Sequence, residues 1–501
     1  MVQRKFFEKF KTQRENEYIY DVTTGVVMPD NGILSAALDL IDEGYNDDEI
    51  MGKLIGTYEE LSIRSTLTYI KRWKSSFGGF FKGKEGYKEN LVSNDELQLE
   101  LSNGTTYLLI LNVTEDCNFR CKYCYLSEEY DYTRNRTCKK MTVETAKKAI
   151  DLYFNYLKKI KQYIPNKKAG ITFYGGEPFM EYEFLRQVIS YIREVQPVPI
   201  DLNMTTNGYL LNDERIKFVV ENDIHLAISF DGTEKNHDRS RVLENNIGTF
   251  QQVLKNIRRF TELYPDYTNV GLISVYDVGT NIEENVKFFE ENEYLPRLFF
   301  INEVSAANTC YYDRFSGEQQ MQFDEQYKKL LLEYIENKKY GKEMSNYLEM
   351  LFEARLSLSI MRLRHRDRKS AIVPFTNTCV PGMKISVRVD GTFDLCERVN
   401  EKFPIGNVET GLNYENMQNI INLYNDSITK ECENCTAQRH CPLCFAYTAG
   451  NKEFVIPKGF CERWRKQQLD NLAIIYSILE ENKTAFDSLH NELEDNYLFK
   501  V

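Results

Sequence analysis

Two hydrophobic rhythms run along the chain. Between residues 105 and 320, short apolar runs alternate with longer stretches whose apolar positions recur every three or four residues. Leu108–Val113, Ala169–Tyr174, Ile200–Thr205, His225–Phe230, Val270–Val275 and Leu298–Ile301 read as strands. Helices fit between them. The one over Val143–Ile160 places Ala146, Ile150, Tyr153, Phe154 and Leu157 on one face. Six strand-then-helix units predict an α/β fold with a parallel sheet, open or rolled into a partial (β/α)6 barrel. Chemistry in such folds gathers at the C-terminal ends of the strands.

The flanks follow other patterns. Residues 1–77 read as a separate module. Tyr18-Ile19-Tyr20 and Val26-Val27-Met28 flank the polar turn Thr23-Thr24-Gly25, which predicts a hairpin. Three short helices follow. Ile33, Ala37, Leu40 and Ile41 share a face of the first. Asn46 with Glu49 caps the second, whose face is Ile50, Leu54 and Tyr58, and Ile63, Leu67 and Ile70 line the third. Two strands and three helices make a winged-helix-like layout, either a structural appendage or a peptide-binding module. Residues 78–104 read as a linker, 321–374 as a helical bridge, and 466–501 as a helical tail. Residues 375–465 are short-stranded and cysteine-rich. There Val387, Val389, Phe393 and Leu395 alternate around Asp390-Gly391, a hairpin signal.

Charge narrows the partners. The net charge of −12 argues against a nucleic-acid partner, which calls for a basic face. The Lys-rich stretch Lys158–Lys168 reads as a solvated helix end and loop. The first residues are charged throughout and lack a signal-peptide core. The longest apolar run, Tyr107–Leu111, falls short of the ~20 residues a membrane helix needs. A soluble, cytoplasmic protein with no membrane partner is expected. In that compartment the 12 cysteines point to metal or redox chemistry rather than disulfides.

Cys117, Cys121 and Cys124 stand in CNFRCKYC directly after the first expected strand. Three thiolates can hold three corners of a cubane cluster and leave the fourth iron open to a small chelate. A zinc site or a purely electron-transferring cluster is the competing reading, but both ordinarily take four ligands. Tyr123 places an aromatic residue before the third cysteine. This segment resembles the signature of the radical SAM superfamily. The resemblance implies S-adenosylmethionine on the open iron and its reductive cleavage to a 5′-deoxyadenosyl radical.

Further motifs follow the expected strands in turn. Gly175-Gly176-Glu177-Pro178 follows the second; its glycines would let the backbone approach a ligand, and Glu177 could accept from an ammonium. It resembles the family motif that holds the cofactor's amino group. Thr205-Thr206-Asn207-Gly208 follows the third. Ser229-Phe230-Asp231-Gly232 and His237-Asp238-Arg239-Ser240-Arg241 follow the fourth. By resemblance these segments reach the cofactor's ribose and carboxylate, with Thr206 among the cofactor-binding residues, Asn207 toward the ribose, and Ser229 and Arg241 toward the carboxylate, Arg241 in a bidentate pair. His237 is given no role.

The second cysteine group is Cys379, Cys396, Cys432-x2-Cys435-x5-Cys441-x2-Cys444 and Cys461. Two Cys-x2-Cys pairs also describe zinc, and two zinc sites stay open on spacing alone. Beside a radical SAM core the array resembles the SPASM extension with its two auxiliary [4Fe–4S] clusters, making three in all. By that resemblance Cys432, Cys435, Cys441 and Cys461 hold the second auxiliary cluster, and Cys379, Cys396 and Cys444 the first. Only Pro442 and Leu443 separate the last two ladder cysteines, where the family usually has three residues. Seven cysteines leave the first auxiliary cluster with an open iron or an outside fourth ligand, for which Cys138 and Cys310 are the spare candidates.

With the N-terminal module, the whole resembles SPASM maturases of ribosomally made peptides. In those, the precursor's leader adds as a strand to the module's sheet. The resemblance implies a thioether cross-link from a peptide cysteine to a carbon, with a ferredoxin or flavodoxin as electron donor. Carbon–carbon cross-linking and sulfatase maturation are the alternatives within the family. A non-catalytic zinc- and peptide-binding protein is the alternative outside it.

Overall fold

The protein's structure, a computed structural model, describes residues 5–80, 93–101, 108–131, 133–161, 169–364, 372–376 and 378–489. Most of the stretch Lys158–Lys168 and the end of the expected tail lie outside them.

The chain opens with a three-stranded antiparallel sheet, β1 (Phe7–Lys11), β2 (Glu17–Asp21) and β3 (Val27–Pro29), with β2 central. The expected hairpin is β2–β3. Strand β1 was not foreseen, because Glu8, Lys9 and Lys11 dilute its apolar alternation. Phe7, Ile19 and Met28 share the face that packs on α1 (Ile33–Glu43), α2 (Asp47–Leu54) and α3 (Glu60–Phe77). Helix α1 buries Leu34, Ala37 and Leu38, so its inner face is turned slightly from the expected one, with Ile33, Leu40 and Ile41 at the margin. The cap on α2 forms as a reciprocal box. Asn46 Oδ1 accepts from Asp48 and Glu49 N–H at 3.0 and 3.1 Å, and Glu49 accepts from Asn46 N–H at 2.9 Å.

Helix α4 (Asn94–Glu100) stands inside the segment expected to be a linker. A second capping box, Ser93 with Glu96, starts it, and buried Leu97 and Leu101 tie it to the main core. The central domain then runs β4 (Leu108–Thr114), α5 (Val143–Lys161), β5 (Ala169–Gly175), α6 (Tyr182–Val195), β6 (Ile200–Thr206), α7 (Asp213–Glu221), β7 (Ile224–Ser229), α8 (Glu234–Asp238), α9 (Phe250–Leu263), β8 (Val270–Tyr276), α10 (Ile282–Glu291) and β9 (Leu298–Glu303). The six strands lie side by side in chain order, every pair parallel.

Helices α11 (Gly317–Tyr340) and α12 (Asn346–Arg364) follow, then β10 (Lys384–Val387), β11 (Thr392–Asp394), β12 (Pro404–Asn407), β13 (Gly411–Leu412), α13 (Tyr414–Cys432), α14 (Phe445–Thr448) and α15 (Phe460–Leu479). Strands β10 and β11 are the hairpin read around Asp390-Gly391. Its position is new: β10 pairs parallel to β4, Lys384 opposite Leu108, so the cysteine-rich segment extends one ten-stranded sheet. Buried Asn112 fastens the junction, donating to Ser386 Oγ at 3.0 Å and Val387 O at 2.9 Å.

Helix α15 starts before the expected tail and carries Cys461. It also covers the outer face of the N-terminal sheet, where Phe10 and Tyr20 meet Leu472. Both faces of that sheet are therefore buried. Among the described residues, no helix is long and apolar enough to cross a membrane.

Candidate active site

The first three cysteines lie on the loop that leaves β4, and two neighbouring segments hold it. Gly176 N–H donates to Thr114 O at 2.8 Å and Glu177 N–H to Asp116 O at 3.0 Å. On the far side, Arg120 N–H donates to Val242 O at 2.7 Å and Lys122 N–H to Ser240 O at 3.1 Å. A Cβ on Gly176 would stand 1.8 Å from Asp116 O, and one on Gly175, at φ +121°, 2.3 Å from Thr114 O. The glycines admit the backbone of the cysteine loop.

Glu177 braces the same region. It is buried, and it accepts from Thr206 Oγ1 at 2.8 Å, Asn207 N–H at 2.7 Å and Phe179 N–H at 3.1 Å. Burial pushes its carboxyl pKa up, against the pull of these hydrogen bonds. The carboxylate ties the end of β5 to the end of β6, and Pro178 starts the single turn beyond it. Asn207 is likewise engaged: its amide donates to Asn118 Oδ1 at 2.8 Å and lies 3.8 Å from Cys117 Sγ, and its Oδ1 accepts from Tyr209 N–H. Ser229 is buried at the end of β7.

Arg241 and Tyr123 meet on a residue that sequence reasoning missed. Asp231 Oδ2 accepts from Arg241 Nε at 2.8 Å and from the Tyr123 hydroxyl, while Oδ1 accepts from Val275 N–H at 3.1 Å. The guanidinium sits 5.3 Å from the centre of the Tyr123 ring. Asp231 stands in the segment Ser229-Phe230-Asp231-Gly232 read from the sequence, but there only Ser229 was given a role.

The three thiols are half-buried. Burial pushes the Cys117 and Cys121 pKa values up to about 12, Glu177 adding to the rise at Cys117 and Arg241 opposing it at Cys121; Cys124 is raised by burial too. Metal binding would remove these protons. The donor set fits an iron–sulfur cluster. Phe119 N–H and Leu126 N–H point at the sulfurs of Cys117 and Cys124 at 3.4 Å, and buried Asn118 Nδ2 has no hydrogen-bond partner. Among the described residues no three His, Cys, Asp or Glu stand close enough to share one metal ion. Thiols of a cubane each bind a different iron.

The structure sorts the second group into the same four and three. Cys432, Cys435, Cys441 and Cys461 line one cavity with Phe375, Leu443, Phe460 and Trp464. Cys444 lies within electrostatic reach of both Cys379 and Cys396, and burial raises the pKa values of Cys396 and Cys444. Cys138 and Cys310 are exposed. Tyr125 lies within reach of both Cys124 and Glu397, the neighbour of Cys396. Glu397 Oε2 is buried with no hydrogen-bond partner among the described residues.

Comparisons with known proteins agree with this geometry. Residues 111–291 match the family described as the radical SAM superfamily. The chain is 24% identical over 392 residues to a cysteine-type anaerobic sulfatase-maturating enzyme of Clostridium novyi, covering 72% of this chain and 93% of that one. It is 25% identical over 207 residues to the radical SAM cyclopropyl synthase TigE of Paramaledivibacter caminithermalis, 36% of this chain and 42% of that one. A solved structure of native anSMEcpe with bound AdoMet shares the fold at a TM-score of 0.56 and 20% identity, over 74% of this chain and 99% of that one. The same protein with AdoMet and the Cp18Cys peptide gives 0.55, at 19% identity over 74% and 98% of the two chains. Residues 111–291 of the chain thus carry a radical SAM domain, in a fold shared with an AdoMet-bound neighbour, and a cysteine-rich C-terminal region follows it.

Proposed function

We propose that the protein is a peptide maturase that installs an intramolecular thioether, from a cysteine sulfur to a carbon, in a ribosomally made precursor peptide. The observation that carries the peptide reading is the edge of the N-terminal sheet. Among the described residues, strand β3 pairs with β2 on one side only. Beside it, α3 presents a row of Tyr69, Trp73 and Phe77, with ring centres 6.2 and 4.7 Å apart. Tyr69 and Phe77 are 42% and 54% exposed, and Tyr69 OH reaches Met28 of β3 at 3.1 Å. An extended leader pairing with β3 would lay its side chains along this row.

Bound at the first cysteine group, S-adenosylmethionine and its cluster would supply the 5′-deoxyadenosyl radical. Cys117, Cys121 and Cys124 would hold that cluster, and Arg241, fixed by Asp231, would orient the cofactor's carboxylate. Cys379, Cys396 and Cys444 would hold a first auxiliary cluster with one iron open, suited to binding and deprotonating a substrate thiol. Cys432, Cys435, Cys441 and Cys461 would hold a second. Each linkage would take a hydrogen atom from the carbon, to the 5′-deoxyadenosyl radical, and a proton from the thiol, to solvent; an auxiliary cluster held by these cysteines would supply an acceptor for the surplus electron. A ferredoxin or flavodoxin would supply the electron that starts the reaction.

The test is anaerobic reconstitution with iron and sulfide. S-adenosylmethionine, a reductant and the Cys-containing peptide encoded beside the gene are then added. A loss of two hydrogens per linkage, with matching loss of alkylatable thiols, establishes a thioether. The same mass loss with every thiol free means a carbon–carbon cross-link. Sulfatase maturation is a second reading, favoured by the 93% coverage of the C. novyi enzyme. It prevails if residues 1–77 bind no leader peptide and a sulfatase-derived cysteine peptide is converted.

A further inference from the structure

The N-terminal sheet is fastened at its two ends in different ways. At one end, the β2–β3 turn meets the five-residue loop between Cys435 and Cys441. Arg439 of that loop donates through Nε and Nη2 to Thr23 O at 3.2 and 3.0 Å. Gly25 makes room: it adopts φ +75°, and a Cβ there would stand 2.9 Å from Arg439 Cδ. The next residue, His440, is fully buried, its ring 5.5 Å from that of Tyr20 in β2. His440 O accepts from Trp464 Nε1 at 3.0 Å, and Trp464 lines the cavity of the four thiols. The loop that grips the turn is thus bounded at both ends by cysteines of that cavity.

At the other end, the β1–β2 turn is held without the cysteines. Thr12 Oγ1 and Tyr18 OH donate to Glu480 Oε1 at 2.9 and 3.0 Å, and Gln13 N–H donates to Ser477 Oγ at 2.9 Å. These partners lie at the far end of α15. That helix is anchored in turn by Arg355 of α12, which donates to Asn471 Oδ1 at 2.7 Å, and by buried Leu472, Ile475 and Ile478.

We infer that the four-thiol site has a second role, as a latch for the peptide-binding edge of the N-terminal module. This rests on the reading that Cys432, Cys435, Cys441 and Cys461 hold a metal centre. Filled, the site pins the Cys435–Cys441 loop at both ends, and Arg439 and His440 then hold the β2–β3 turn. Strand β3 begins two residues after Gly25, so its edge is held with the turn. Emptied, the loop keeps its sequence but loses its metal–thiolate anchors, and this end of the sheet loosens while the β1–β2 end stays docked. The coupling is reciprocal. A peptide that steadies β3 steadies the loop and favours metal retention.

The test is hydrogen exchange on the full chain, reconstituted with iron and sulfide, with iron counted in each sample. In Cys441→Ser, iron falls and amides of residues 21–27 exchange at least about tenfold faster, while residues 12–16 keep their protection. Arg439→Gln leaves every proposed ligand in place. It retains full iron and shows the same faster exchange at residues 21–27. The latch is refuted if Cys441→Ser loses iron with unchanged exchange at the β2–β3 turn, or if Arg439→Gln changes nothing there. Unchanged iron in Cys441→Ser would instead refute the four-ligand reading, and the inference with it.

Discussion

Asp231→Asn is the sharpest probe of the active-site framework. Asp231 is 3% exposed and takes three donors, Tyr123 OH, Arg241 Nε and Val275 N–H. The amide keeps the shape and loses the charge. Arg241, 7% exposed, then becomes a buried cation without its counter-charge. Removing one member of a buried ion pair costs about 3–5 kcal/mol. The remaining carbonyl oxygen of the amide still accepts a hydrogen bond, which returns about 1 kcal/mol. The net loss is about 2–4 kcal/mol, a large share of the ~5–15 kcal/mol that keeps a domain folded. At about 2–4 °C per kcal/mol, the thermal midpoint should fall by roughly 5–15 °C.

The assay is anaerobic thermal unfolding followed by circular dichroism, on iron-loaded and iron-free protein. The iron-free arm isolates the ion pair from any change in cluster binding. Asp231→Asn combined with Arg241→Gln removes both charges and should recover more than half of the loss. A midpoint within about 2 °C of wild type in both arms would refute the reasoning. So would a double variant no better than the single one. Either result would mean that the pair returns little more than its own desolvation.

Three further outcomes are expected. Gly176→Ala forces a Cβ to within 1.8 Å of Asp116 O, a backbone atom that cannot swing away, so the cysteine loop must shift; loss of S-adenosylmethionine-responsive cluster signal by electron paramagnetic resonance checks this. Burial holds the His237 pKa down at about 3. A depressed folded pKa gives stability that is whole above the ordinary ~6.5 and is lost as pH falls toward the folded value. Between pH 5.5 and 4, urea unfolding of the wild type should therefore steepen by about 1.4 kcal/mol per pH unit relative to His237→Gln. Asn46→Ala deletes the acceptor of the α2 capping box and should cost about 1 kcal/mol, seen as faster exchange within α2 and none in the central sheet.

What could be read from the sequence was local. The six parallel strands showed because each is a short apolar run followed by an amphipathic helix, and the motifs lay at their C-terminal ends. Cys117, Cys121 and Cys124 showed because their spacing is compact. The two boxes on α2 and α4 obey one rule, yet only Asn46–Glu49 was used. Ser93–Glu96 sits in a stretch whose charge and glycines suggested a linker.

What could not be read depends on pairings across long separations. Strand β10 is only four residues long, and nothing in Lys384–Val387 says that its partner is β4 rather than a strand of its own small sheet. The alternation in β1 is broken by charge, and its place follows only from β2. Glu177 illustrates the same limit at the site. A glutamate in a Gly-Gly-Glu-Pro turn looks like a ligand-facing group, but burial and three internal donors make it a brace between strand ends. Asp231 is the converse case. It stands in a motif in which only Ser229 was given a role, yet it fixes Arg241 and Tyr123 together. In both cases sequence identifies a carboxylate at the right strand end. Only the third dimension decides whether its oxygens face a ligand or the protein itself, because that depends on donors up to 108 residues away in the chain.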